Sequence, residues 1–160
     1  MKLSIKQAMK PLAAILIVEL VGAIGVIFTF PALAGWYATL NKPWFNPPGW
    51  VFSPVWTMLY ALMGIAVWLV WEKGLKNKKV RASLFAFGGQ FVLNVLWSIL
   101  FFGLHSTLYG LVDIMLLLIA IAFTIIKFYS VSKTASALLV PYILWVGFAA
   151  ALNFYVWRLN

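Results

Sequence analysis

Cysteine is absent from the 160 residues, histidine occurs once and acidic side chains number only three. Without cysteine there is no disulfide framework, iron–sulfur cluster, thiolate zinc site or cysteine nucleophile. The single His105 cannot build a multi-histidine metal site. Charged residues of both signs make up 9% of the chain and hydrophobic ones 65%, whereas soluble domains run near roughly 25% and 45–50%. Too little polar surface exists to coat such a chain in water, which makes it a membrane protein and excludes the soluble enzymes. No nucleotide-binding loop and no nucleophile–base motif points to conventional catalysis.

The formal charge of +9 does not mark a nucleic-acid binder, because the basic residues punctuate apolar runs instead of forming a patch. A bilayer core about 30 Å thick needs roughly 20 predominantly apolar residues per helix. Five such stretches are present, at about 12–30, 53–71, 84–102, 109–126 and 135–157. They predict an all-α integral membrane protein, residues 1–160 forming one domain of five transmembrane helices. Segments alternating in polarity every other residue, as a membrane β-barrel requires, are missing. Lys2, Lys6, Lys10, Lys73, Lys76, Lys78, Lys79, Arg81, Lys127 and Lys133 fall on one side of this arrangement, Lys42 and Arg158 on the other. The positive-inside rule then puts the amino terminus in the cytoplasm and the carboxyl terminus outside. Ala32-Leu33-Ala34 imitates a signal-peptidase site, but the apolar run before it is longer than a usual signal core and contains Glu19, so an uncleaved first helix is expected. Lacking a transit-peptide-like extension, the chain is assigned to a prokaryotic cytoplasmic membrane, or to an organelle membrane if its source is eukaryotic.

The segment Pro31 to Pro54 holds five prolines and a concentration of indole and phenol rings. Proline restricts φ and removes an amide donor, so this connection is semi-rigid, with a short interfacial helix near Trp36 to Leu40 and an extended return over Lys42 to Trp50. An aromatic anchoring belt and a lid over the bundle both fit. The order Trp36-Tyr37-x-x-Leu40-x-Lys42-Pro43-x-Phe45-x-Pro47-Pro48-x-Trp50-x-x-x-Pro54-Val55-Trp56-x-x-Leu59-Tyr60 resembles the signature of the TspO/MBR family, the translocator or tryptophan-rich sensory proteins. The resemblance continues in Gly89-Gln90-x-x-Leu93-Asn94-x-x-Trp97-Ser98 and in Pro141-Tyr142-x-x-Trp145-x-x-Phe148-Ala149-x-x-Leu152-Asn153, and reaches Asn160. The family's five-helix fold agrees with the independent count.

Helical spacing places Gln90, Asn94, Trp97 and Phe101 on one face. Trp56, Tyr60 and Met63 form a second stripe, and Tyr142, Trp145, Ala149, Leu152 and Val156 a third. Convergence of the three faces would create an aromatic pocket for a flat hydrophobic molecule; ordinary helix packing would use the same stripes. The resemblance implies porphyrin-type ligands, protoporphyrin IX or haem being the candidates, with no cofactor required. By the same resemblance Trp56 and Trp145 contact the ligand, Tyr60, Asn94 and Trp97 form the wall, and Tyr37, Pro47 and Trp50 belong to the lid; Phe101, Phe148 and Ala149 are further candidate ligand-binding residues. It also implies a receptor or translocator role, with light-dependent porphyrin breakdown or transport of sterol-like lipids as alternatives, and a possible homodimer, for which Ala82, Ala86 and Gly89 supply small residues. Leu152 to Arg158 satisfies a loose cholesterol pattern that an interfacial anchor satisfies equally. Glu19 and Asp113 are acids at membrane depth, where charge is expensive; Asp113 is expected to bond an indole N–H or backbone near its helix end.

Overall fold

The computed structural model describes residues 5–160, with side chains from Met9 onward; Lys2 and the Lys6 side chain, counted above in the basic flank, lie outside the described residues. Helix α1 spans Ile5–Ala34, α2 Trp36–Thr39, α3 Phe52–Trp71, α4 Lys78–Ser98, α5 Thr107–Tyr129, α6 Lys133–Leu138 and α7 Val140–Leu159. Among the described residues five helical stretches are long and apolar enough to cross a bilayer: Met9–Ala34, Gly49–Trp71, Lys78–Gly103, Thr107–Tyr129 and Lys133–Leu159. Each extends past the apolar run read from the sequence by a few residues at one or both ends. Helices are the expected form, since a backbone in lipid must satisfy its own hydrogen bonds.

Three helices start at a side-chain cap. Asn77 accepts from the Lys79 amide, Ser106 from Tyr109 and Ser132 from Ala135, occupying donors that a first turn leaves unpaired. Pro31 does not begin the connection but lies inside α1, so the link to α3 is shorter than expected, covering residues 35–51. At the end of α4 the helix widens into a π-turn over Ile99–Gly103, closed by the Leu104 amide on the Ile99 carbonyl at 2.8 Å. His105 follows at φ 54°, a left-handed conformation uncommon for a residue with a Cβ, and its ring stacks on Trp36 at 4.8 Å.

Helix α1 packs on α3 and α4, α4 on α5, and α5 on α7. Gly64 permits the first contact, since a Cβ there would lie 2.5 Å from the Ile15 Cα. The fifth span bends at Leu139, where Pro141 at the start of α7 withholds an amide from the helix ladder. Below the bend α6 packs on both α5 and α3; above it α7 keeps α5 and moves away from α3. Helices α3 and α7 consequently meet near the connection through long rings, Trp56 against Tyr142 and Phe52 against Trp145. One buried cluster, including Met63, Phe87, Ile121, Phe128 and Tyr142, fills the bundle. A second, including Ala32, Tyr37, Phe101, Phe102 and Val156, lies under the connection. Ala82 and Gly89 are on an exposed face of α4, with Ala86 half-buried beside them.

Candidate functional site

The divergence of α7 from α3 leaves a cavity of about 330 Å³ at the connection end of the bundle, walled by α1, α3, α4 and α7. Its lining is apolar with a few polar atoms, the composition of a pocket for a hydrophobic small molecule. Tyr37, Trp56, Tyr60, Asn94, Trp97, Phe101, Trp145 and Ala149 all line it. The three helical stripes therefore converge, and their lower members, Met63, Gln90 and Tyr142, are buried in the core.

Phe148, Pro47 and Trp50 do not line the cavity. Phe148 is one residue from Ala149, about 100° around the helix, and faces Phe45 of the connection at 6.3 Å. Trp50 sits on the 3₁₀ turn Gly49–Val51 with 75% of its surface exposed. Successive side chains on such a turn diverge by about 120°, and it is Gly49 that meets the cavity. Spacing within a helix predicts direction well, whereas within an irregular connection it predicts membership of the segment but not direction.

A hydrogen-bonded chain stiffens the wall. The Tyr60 hydroxyl donates to Asn94 Oδ1 at 2.9 Å, Asn94 Nδ2 donates to the Tyr142 hydroxyl at 3.1 Å, and that hydroxyl donates to Gln90 Oε1 at 2.8 Å. It ties α3, α4 and α7 at the height where they separate. A second link runs from Trp97 Nε1 to Asn153 Oδ1 at 3.1 Å and from Asn153 Nδ2 to the Thr107 carbonyl at 2.8 Å. Trp97 also stacks on Phe101 with centroids 5.1 Å apart, so that indole is fixed by both its edge and its face. The Trp145 Nε1, in contrast, is buried without a hydrogen-bond partner. An unpaired buried donor is costly; here it belongs to a ring that lines a cavity.

The connection closes the end of the site as a semi-rigid cover. Its Tyr37 hydroxyl donates to Asn46 Oδ1 at 2.8 Å. Lys42 Nζ donates to the Leu40 carbonyl at 2.8 Å and lies 5.0 Å from the Tyr37 ring centroid. Phe45 packs edge-on against Tyr155 of α7 at 5.4 Å. Burial pushes the Tyr37 phenol up to about 12. Trp44, at 95% exposure, is the outward-facing ring of this cover.

Several lining residues were not anticipated as such: Gly22, Gly25 and Thr29 of α1, Phe52 and Thr57 of α3, and Asn153 of α7; Leu152 and Val156, the upper members of the third stripe, do line it. The glycines could have been found as small residues one turn apart on an apolar helix. A Cβ on Gly22 would clash with the edge of the Tyr60 ring, and one on Gly25 would lie 2.8 Å from the Ser98 hydroxyl oxygen. Glu19, one turn before Gly22, is itself in the wall. Asp113 is not; it is buried beside a groove between α4 and α5, its Oδ2 has no hydrogen-bond partner, and no indole reaches it. Neither the expected indole N–H nor a backbone amide is bonded to it among the described residues, because the side chains around this groove are Leu93, Leu96, Leu100, Tyr109, Val112 and Leu116.

Comparison with known proteins is consistent with this architecture. The chain is 49% identical over 153 residues, 95% of its length and 97% of the relative's, to the tryptophan-rich protein TspO of Archaeoglobus fulgidus. It is 44% identical over 126 residues, 78% of its length and 75% of the relative's, to the translocator protein of Homo sapiens. With the tryptophan-rich sensory protein of Cereibacter sphaeroides it shares 38% identity over 125 residues, 78% of this chain and 77% of that one. The TspO/MBR family model matches residues 14–158, which takes in the cavity, its cover and all but the outermost residues of the five spans, and the chain therefore belongs to the TspO/MBR family of integral membrane proteins.

Proposed function

We propose that this protein is a membrane receptor or translocator that takes porphyrin-type tetrapyrroles into the cavity beneath its first connection. The observation that carries the reading is the convergence of Trp56, Trp97 and Trp145 around one cavity, with the Trp145 indole N–H left without a partner. A large planar apolar ligand gains about 25 cal/mol for each Å² it removes from water, less the costs of ordering. Aromatic walls add offset or edge-on stacking of about 0.5–1.5 kcal/mol per ring pair. Entry from the bilayer is supported by the α1 side of the wall, where Val26 and Phe30 are 55% and 74% exposed and also line the cavity.

Titration of the protein with protoporphyrin IX tests the proposal: saturable quenching of tryptophan fluorescence is expected, weakened at least tenfold by Trp56→Ala combined with Trp145→Ala. An unchanged curve in the double variant overturns it. A second reading, light-dependent oxidative breakdown of the bound pigment, is favoured by the same three indoles, which would stand within electron-transfer range of any occupant. Illumination in air separates the two, since a binding protein leaves the products that free pigment gives in detergent.

A further inference from the structure

Within this cavity the polar groups are unequally committed. The Tyr60 hydroxyl is engaged by Asn94, and Trp97 and Asn153 engage each other. Glu19 is engaged by nothing: among the described residues the only ion pair is Lys10 with Glu72, and no hydrogen bond to the Glu19 carboxyl occurs. Lys10, the basic residue of α1 with a described side chain, is thereby spent elsewhere.

Glu19 is also deep. It is the eleventh residue of the 26-residue span Met9–Ala34, close to its middle, whereas Leu33 and Tyr37 of the same lining lie at the connection end. Fourteen helical residues separate Glu19 from Leu33, about 21 Å along the axis. The cavity is an elongated slot with a carboxyl at its floor. Glu19 is the one charged side chain among the described residues that line it; at the opposite, covered end Lys42 lies over the Tyr37 ring, outside the lining, with its ammonium on the Leu40 carbonyl. An acid at mid-membrane is expensive unless paired, and an ammonium within hydrogen-bond distance is the partner that removes most of that expense, through a charge-assisted bond.

We propose that Glu19 recognises a basic nitrogen, so that the favoured occupant is an elongated or planar apolar molecule bearing an amine, bound with the amine at Glu19 and any carboxylates directed away from it. This rests on the cavity reading above and adds its charge selectivity. An anionic group at the floor would face the carboxyl directly, and a dicarboxylate porphyrin is accommodated only with its acidic edge outward.

Three porphyrins with the same ring distinguish the possibilities: protoporphyrin IX, its neutral dimethyl ester, and the derivative whose two carboxylates are coupled to a short diamine. Each is titrated by tryptophan quenching into the full-length protein in zwitterionic nanodiscs. The diamine derivative is expected to bind about tenfold more tightly than the dicarboxylate. In Glu19→Gln that ratio falls to near one while the ester is unaffected, and Glu19→Asp retains most of the preference. A diamine-to-dicarboxylate ratio that is the same in wild type and Glu19→Gln, with the ester still binding, overturns the role of Glu19 and leaves the cavity reading standing. Failure of all three to bind saturably to wild type overturns both.

Discussion

Asn41 and Asn160, 119 residues apart in sequence, hold each other by two 3.0 Å hydrogen bonds: the Asn41 amide donates to Asn160 Oδ1, and Asn160 Nδ2 donates to the Asn41 carbonyl. A side-chain amide here imitates a strand partner for one residue of the connection. Asn160 Nδ2 also donates to the Val156 carbonyl at 2.8 Å, so the end of α7 carries the clamp on its own last turn. The cover of the cavity is thus fastened to the helix that forms the cavity's far wall.

Asn160→Ala should loosen the cover without unfolding the bundle. Amide exchange over residues 41–46 is expected to accelerate about tenfold, while global stability changes by less than about 1 kcal/mol, because one exposed polar clamp is lost and no core contact. Hydrogen exchange in detergent checks both; exchange unchanged in this segment would show that the clamp does not hold it.

Close helix approach depends on Gly64 and not on Gly88. Gly64→Ala drives a methyl into the Ile15 backbone and should destabilise by about 1–3 kcal/mol, the usual cost of overpacking. Gly88→Ala meets open space and should be neutral or stabilising by up to about 1 kcal/mol. Thermal unfolding of the two variants side by side reads the difference.

Asn94→Leu breaks the chain that ties α3, α4 and α7. It leaves the Tyr60 hydroxyl without its acceptor and removes a donor from Tyr142, for a loss of about 1–3 kcal/mol. Interhelical bonds in membranes average nearer about 0.6 kcal/mol, so a loss at the upper end would indicate that both tyrosines stay unpaired after the substitution. Denaturant unfolding supplies the number.

The phenol of Tyr37 gives the cover a dependence on high pH. Its value in the folded chain is raised from 10.0 to about 12 by burial, so the folded state holds the proton more tightly than the unfolded one. Its contribution is complete below pH 10 and declines as pH rises toward 12. Phenolate absorbance followed alongside thermal unfolding should show stability falling across that window, with Tyr37→Phe losing less.

Because the chain has no cysteine, single introduced thiols report topology cleanly. Lys76→Cys should react with a membrane-impermeant reagent only from the cytoplasmic face, and Trp44→Cys only from the opposite one. Labelling of the two from the same side is incompatible with an odd number of crossings between them, and the reversed pattern would contradict the positive-inside orientation.

Much of this molecule is written in its one-dimensional order. The five apolar runs fix five helices because lipid offers no other partner for backbone N–H and C=O groups. The i, i+4 and i, i+7 spacing of Asn94, Trp97 and Phe101 fixes a shared face because helix geometry is regular. What the sequence could not determine was decided by packing between distant segments: the bend at Leu139 that separates α7 from α3, the outward turn of Phe148 and Trp50, the placement of Glu19 at the cavity floor, and the fastening of Asn41 to Asn160. Each depends on where one rigid helix is held relative to another. That placement is set by which surfaces interdigitate, at Gly22 against Tyr60 and Gly64 against Ile15, and no local periodicity encodes such a pairing.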